Sequence, residues 1–259
     1  MSDATLMLQV EQLWFSYPHG KPIFQGFDWK VKRGETWSIL GSSGCGKTTL
    51  LYLLAGLRQP TSGRVLIDGQ LLIRPRPQTG LILQDYGLLP WATVRHNASL
   101  GLMVRDFYGP DGTHAPVRKE HVLGTDYWLE RLGINSLTDK YPSQISGGQR
   151  QRVAIARTLT VQPDVLLMDE PFSSLDAATR EDLQSLVSGL CVEHGITMII
   201  VTHSIEEAAL LGQNILLLND PPNNAPSIFS NPQAGELEYE SSSAYQDSCQ
   251  RLREKMGVQ

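Results

Sequence analysis

Gly41-Ser-Ser-Gly-Cys-Gly-Lys-Thr48 is the stretch around which the remainder of the chain makes sense. A glycine, four free positions, then Gly46, Lys47 and Thr48 is the spacing of a phosphate-binding loop. It follows the apolar run Glu35-Thr-Trp-Ser-Ile-Leu40, which predicts a buried strand, and precedes a helix-compatible run from Thr48 to Gly56. Glycines let successive backbone N–H groups turn inward as an anion-binding nest, and the following helix adds its positive N-terminal end. In that frame Gly41, Ser42, Ser43, Gly44, Cys45, Gly46, Lys47, Thr48 and Thr49 surround a nucleotide's phosphates. Lys47 reaches the β- and γ-phosphates, and the Thr48 hydroxyl ligates Mg2+. The loop alone implies nucleotide binding and nothing narrower.

The 259 residues suffice for one nucleotide-binding domain with a smaller subdomain. A net charge of −5 lacks the basic excess that phosphate-backbone binding needs, so no nucleic-acid partner is expected. No run approaches the length of about 20 apolar residues that a membrane span requires, and Met1-Ser-Asp-Ala lacks the layout of a secretion signal. The chain is expected to be soluble and cytosolic by itself. Cys45, Cys191 and Cys249, an odd number at unrelated spacings, predict reduced thiols and neither a disulfide framework nor a zinc site. Cys45 lies near Lys47 and a helix N-terminus, so it is either a thiol more acidic and reactive than usual or a small residue that merely fits the loop.

Upstream of the loop, Leu6 to Phe15 and Ile23 to Val31 alternate loosely around the turn Pro18-His-Gly-Lys-Pro22, predicting an antiparallel β element. Tyr17 ends the first strand, either stacking on an adenine ring or serving as an ordinary strand-end tyrosine. Downstream come a turn at Pro60-Thr-Ser-Gly63, a short strand from Arg64 to Asp68, and a core strand Gly80-Leu-Ile-Leu83 that delivers Gln84. Strand ends beside the phosphate loop are where open α/β sheets place functional groups. Gln84 is therefore a candidate for touching Mg2+ or the attacking water, with a plain polar strand terminator as the alternative. Helices are predicted over Val94 to Arg105 and Arg118 to Leu132, separated by a Gly/Pro-rich break from Tyr108 to Pro116 that contains His114.

Ile145-Ser-Gly-Gly-Gln149 opens a strongly patterned helix that runs to Leu159. Ser146 can cap it, and Gly147 and Gly148 expose backbone N–H groups at its positive end, which with Gln149 makes a second anion site. Two phosphate-gripping ends in one chain suggest that they act on one nucleotide across a dimer interface. Val165-Leu-Leu-Met168 is an unbroken apolar strand ending in Asp169-Glu170. Asp169 is placed to face Mg2+, and Glu170, one residue further on, to act as general base toward the attacking water. Ser174-Leu-Asp176 closes the next loop, a helix follows from Ala177 to Glu193, and Thr197 to Thr202 forms another core strand ending at His203. A histidine there either hydrogen-bonds a γ-phosphate and holds the water-activating carboxylate in register or is merely structural. Asn214 to Leu218 reads as a last strand, Asn219 to Pro226 as a loop or linker, and Tyr245, Cys249, Leu252 and Met256 as one face of a terminal helix that packs back on the domain or, alternatively, docks on a partner.

With these residues in hand, the sequence resembles the ATP-binding subunit of an ABC transporter, from about Leu6 to about Leu218. The resemblance rests on the phosphate loop, Gln84, the signature Ile145 to Gln149, the strand ending in Asp169-Glu170, Asp176 and His203, all in the family's order. It implies an α/β fold: a P-loop NTPase core with a mostly parallel central sheet, an N-terminal antiparallel β subdomain and an inserted helical subdomain. The expected ATP-binding domain spans 1–220, with the helical subdomain at about 93–162, followed by a linker and helix over 221–259. The resemblance also implies ATP and Mg2+ as ligands, with Gln84, Glu170 and His203 catalytic, Thr48, Gln84 and Asp169 on the metal, and Asp176 near the nucleotide. It further implies a head-to-tail homodimer that holds ATP between one phosphate loop and the other copy's Ser146 to Gln149.

The segment Leu83-Gln-Asp-Tyr-Gly-Leu-Leu-Pro-Trp91 is similar to the nitrate, sulfonate and taurine importer branch, whose relatives also carry vitamin-like solutes. Two transmembrane permease subunits, a solute-binding protein and a peripheral place on the cytoplasmic face of the inner membrane are the partners and location this implies. Ile145 stands where the family usually has Leu, and Ser204 where Asp is common. A soluble ABC ATPase of translation or DNA maintenance is the competing expectation, though many of those carry a second ATPase domain, a coiled coil or a basic surface. A small-molecule P-loop kinase would leave Ile145 to Gln149 and His203 without a purpose.

Overall fold

Apolar alternation along Leu6–Ser16 (β1) and Pro22–Lys32 (β2) yields an antiparallel pair in which Val10 faces Trp29 and Leu13 faces Phe27. The structure is a computed structural model that describes residues 5–108, 124–236 and 238–257. It divides into two compact units, one made of 1–75 with 188–259 and the other of 76–187.

In the first unit, β1 also pairs antiparallel with Ser62–Ile67 (β4), which pairs in turn with Gln70–Leu71 (β5), giving the order β2-β1-β4-β5. The strand expected over Arg64 to Asp68 thus starts two residues earlier, because the Ser62 backbone still reaches Trp14 across the ladder. The parallel layer is built on Thr36–Gly41 (β3), buried at every position. It lies between Thr197–Thr202 (β8), also wholly buried, and Asn214–Leu218 (β9). Runs with no polar face are what strands covered on both sides require. The helix Lys47–Leu54 (α1) packs on β3 and β8, and Ile205–Leu211 (α6) packs on the same two strands.

The expectation that strands end at Leu218 is corrected by Ser227–Ser230 (β10), which pairs antiparallel with β9, Phe229 opposite Ile215. Its core-facing residue is Phe229, buried under the terminal helix Ser243–Met256 (α7). A four-residue strand with one such anchor leaves almost no periodicity in a sequence. Cys249 and Leu252 of α7 are buried against Leu40, Ile205, Ala208 and Ala209, with Tyr245 and Met256 alongside, so the terminal helix does pack back on the domain.

In the second unit, Thr79–Ile82 (β6) pairs parallel with Val165–Asp169 (β7), Ile82 beside Met168. The helices Val94–Tyr108 (α2) and Thr125–Arg131 (α3) both pack on Gly147–Leu159 (α4). Ala177–His194 (α5) runs across the boundary between the units. The expected break beyond Tyr108, with His114, and the expected helix start at Arg118 lie outside the described residues. The α/β class, with an antiparallel N-terminal sheet and parallel core strands, is the one anticipated.

Candidate functional site

The residues singled out in the sequence divide between the two units, and each group is built locally. In the first unit, β3 ends at Gly41 and the chain turns through Ser42, Ser43 and Gly44, all exposed, before α1 begins. Gly44 has φ +82 and Gly46 φ +109, conformations that L side chains rarely adopt. A Cβ at Gly46 would stand 2.6 Å from Ile23 Cγ2, and one at Gly41 2.6 Å from both Cys45 Sγ and the Leu218 carbonyl oxygen. The loop therefore admits only glycine at its two tightest points. Lys47, 7% exposed, rests its Nζ on the carbonyl oxygens of Gly41 at 2.8 Å and Ser42 at 2.9 Å, so the cation sits inside the loop. No side-chain hydrogen bond caps the N-terminus of α1, whose positive end follows the loop directly. These features fit a bound phosphate group.

Tyr17 lies at the rim of this group, its hydroxyl 3.3 Å from Thr49 Oγ1. Its ring meets Phe15 edge-on and has the Arg58 guanidinium 5.7 Å above its centroid. Thr48 is exposed, and so is His203, which follows β8 directly. Cys45 departs from the reactive alternative. It is 1% exposed, and burial pushes its thiol pKa up against the opposing pull of Lys47. Desolvation of the thiolate outweighs the nearby cation, so this cysteine is not activated.

Two residues not anticipated from the sequence secure the loop. Asp220 accepts from Ser42 Oγ at 3.3 Å. Asn223, 5% exposed, donates from Nδ2 to the Cys45 carbonyl at 2.9 Å and accepts from the Asn219 N–H at 3.0 Å. Its backbone exchanges bonds with Ile23 and Gln25 of β2. The segment expected as a plain loop is thus a clasp between β2 and the phosphate loop.

In the second unit, the register of β6 on β7 makes Gln84 and Asp169-Glu170 emerge from the same end of two parallel neighbours. Gln84 is exposed and Asp169 is 8% exposed. Glu170 adopts φ +45, and its carbonyl accepts from Ser173 Oγ at 3.0 Å. Past Gln84, Tyr86 also has a positive φ, +65. Arg157 of α4 holds that turn, donating to Tyr86 O at 2.7 Å and Gly87 O at 2.6 Å, while the Tyr86 hydroxyl lies 2.7 Å from Ser174 Oγ. Burial lowers the Arg157 pKa, with Asp85 pulling it back up.

Ser146 caps α4 as expected. Its Oγ accepts from Gln149 N at 3.2 Å, and Gln149 Oε1 accepts from Ser146 N at 2.9 Å, a closed capping box. A Cβ at Gly148 would collide with Thr179 Cγ2, so α4 meets the first turn of α5 at glycine distance. Asp176 precedes α5, and its Oδ1 accepts from Thr179 N at 3.0 Å, which with the Thr179 hydroxyl holds its pKa below the usual carboxylate value. Asn97, fully buried, ties the turn before α2 with bonds to Leu89, Ala92 and Thr93. Trp91 stands on that turn, 75% exposed.

No helix among the described residues is long and apolar enough to cross a membrane. The curated relatives include a bicarbonate transport ATP-binding protein of Synechococcus elongatus, 40% identical over 224 residues, 84% of this chain and 32% of that protein. A nitrate import ATP-binding protein of the same organism is 42% identical over 192 residues, 74% of this chain and 28% of its own length. The chain thus spans about a third of the length of these relatives. A taurine import ATP-binding protein of Ruegeria pomeroyi is 40% identical over 222 residues, covering 85% of this chain and 80% of that one. Among solved structures, cbiO1 of Clostridium perfringens, described as part of the ABC transporter complex cbiONQ, superposes with a TM-score of 0.74 at 29% identity over 98% of this chain and all of that one. A dimeric ATP-binding cassette in a post-hydrolysis state with ADP and Pi gives a TM-score of 0.71 at 28% identity, covering 86% of this chain and 98% of that one. A family model described as the ABC transporter matches residues 24–173, more than half of the chain, and the chain belongs to that family.

Proposed function

We propose that this chain is the ATP-binding and ATP-hydrolysing subunit of a membrane importer for a small anionic or vitamin-like solute. The observation that carries the reading is the pairing, in one chain, of a glycine-restricted phosphate loop closed around Lys47 with a glycine-opened, capped helix at Ser146. Lys47 and the loop N–H groups bind the nucleotide's phosphates, and Tyr17 takes the adenine. The hydroxyl of Thr48, the amide of Gln84 and the carboxylate of Asp169 are the groups that would hold Mg2+, which neutralises phosphate charge when bound. Glu170 takes the proton of the attacking water, and His203 donates to the γ-phosphate and keeps the geometry in register.

Two copies act head to tail, the Ser146 to Gln149 segment and Asp176 of one completing the nucleotide site of the other. ATP held between two copies favours the closed pair, and hydrolysis reopens it. The stretch of about 93–162 works as the helical subdomain that passes this motion to two permease subunits, with the exposed Trp91 as anchor. A solute-binding protein completes the importer, and the chain sits peripherally at the cytoplasmic face of the membrane. Segment 221–259 forms a C-terminal extension. The relatives' bicarbonate, nitrate and taurine motivate the solute class. They lend no support to a role in translation or DNA maintenance.

The test is to purify the tagged chain from detergent-solubilised membranes of its host and identify what accompanies it. A multi-span permease in equal amount, lost from Trp91→Ala, is the expected result. Recovery of ribosomes or other soluble factors alone would end the transport reading while leaving the ATPase chemistry to be judged by phosphate release.

A further inference from the structure

The apolar face of α7 seats it against α6, with Cys249 and Leu252 buried among Ile205, Ala208 and Ala209. That seat brings two polar side chains of α7 to the first turn of α6. Arg253 Nη2 donates to Glu206 Oε1 at 2.5 Å, and the Tyr245 hydroxyl donates to the Glu206 main-chain oxygen at 3.4 Å. The other carboxylate oxygen of Glu206 accepts from Ser204 Oγ at 3.0 Å. Ser204 is the N-cap of α6. Its Oγ accepts from Glu207 N at 3.1 Å, and its own N–H donates to Thr202 Oγ1 at 3.0 Å. Hydrogen bonds therefore run without a gap from α7 through Glu206 to the two residues that flank His203.

We propose that Arg253 and Tyr245 are positioning residues for His203: through Glu206 and Ser204, α7 fixes the backbone from which that imidazole reaches the phosphate. The proposal rests on the catalytic role given to His203 above. The Arg253–Glu206 pair is exposed, 43% and 55% at the side chains, and such pairs add little stability. What two bonds on one carboxylate and a third on its carbonyl do supply is direction, since they restrict how the first turn of α6 can tilt. Burial raises the Glu206 pKa, but bonds from its own backbone, Ser204 and Arg253 outweigh it and hold the group below its usual value. Glu206 therefore remains a carboxylate able to accept from both sides at neutral pH.

The experiment measures ATP turnover by the full chain as wild type, Arg253→Ala, Tyr245→Phe and Arg253→Lys, each with and without His203→Ala. Ring resonances of His203 are followed in parallel by NMR on histidine-labelled protein. Arg253→Ala and Tyr245→Phe are expected to lower kcat about fivefold with KM for ATP changed less than about twofold, and Arg253→Lys to recover most of the loss. In the His203→Ala background the same changes are expected to cost nothing further, since residues acting through one group are not additive. The His203 resonances are expected to move in Arg253→Ala. A lowered melting temperature with unchanged kcat and unmoved His203 resonances would reduce α7 to a structural cover and overturn the proposal, as would losses that add fully to those of His203→Ala. If the wild type hydrolyses no ATP, the proposed function falls, and the His203 resonances alone then decide whether α7 positions that ring.

Discussion

Glu170 carries backbone strain where chemistry is proposed: φ +45 in a residue with a side chain, pinned by Ser173 on its carbonyl. Such a conformation costs on the order of 1–3 kcal/mol and persists only when the surroundings impose it. Glu170→Gln keeps the shape and removes the base, so hydrolysis measured by phosphate release is expected to fall at least about 100-fold while ATP binding measured by fluorescence persists. Turnover near the wild-type rate would remove the base from Glu170. The cysteines make the opposite case. All three are free and buried, and burial raises each thiol pKa, that of Cys191 up to about 12. Native protein is therefore expected to react with maleimide at least about tenfold more slowly than urea-unfolded protein, read by mass spectrometry; rapid native labelling at Cys45 would contradict its burial. Residues whose meaning lies in local spacing, such as Gly46, Lys47 and Ser146, were legible in the sequence. Asn223 was not, because its partner Cys45 is 178 residues away and an asparagine in a Pro-rich stretch reads as a turn residue. Arg157, 70 residues from Gly87, hid for the same reason.

At the scale of elements, the strands β3, β7 and β8 announce themselves as mostly apolar runs, and the helix α4 by its cap. The short β10 and the two-residue β5 do not, since pairing and not pattern creates them. Asp176 shows how a cap and a proposed site residue coincide: it heads α5 and accepts from Thr179 N. Its folded pKa is depressed, so its ionised form contributes stability above the unfolded value, and that contribution is lost as pH falls through the folded pKa. Asp176→Asn keeps an acceptor but not the charge at the positive helix end. Wild type is expected to melt higher at pH 7, with the gap closing below about pH 4. A gap that is constant with pH would show that the charge adds nothing to the cap.

For the whole molecule, the described residues contain one phosphate loop and one Ser146 helix, so a complete site under the proposed head-to-tail arrangement takes a second set of them. Glu170→Gln with ATP and Mg2+ is expected to sediment as a dimer and to return to monomer when ATP is withdrawn. A monomer under saturating ATP would count against the shared site. The second unit is one uninterrupted stretch, 76–187, whereas the first is assembled from both ends of the chain. Strand β3 gains its neighbours β8 and β9, and the loop beyond it gains Asn223, only from the later end. On a ribosome adding about 5–20 residues per second, Asn223 is made roughly nine to thirty-six seconds after Cys45. The phosphate loop is thus made early and finished late, and a nascent chain that stops short of Asn223 carries the loop's sequence without the clasp that holds it to β2.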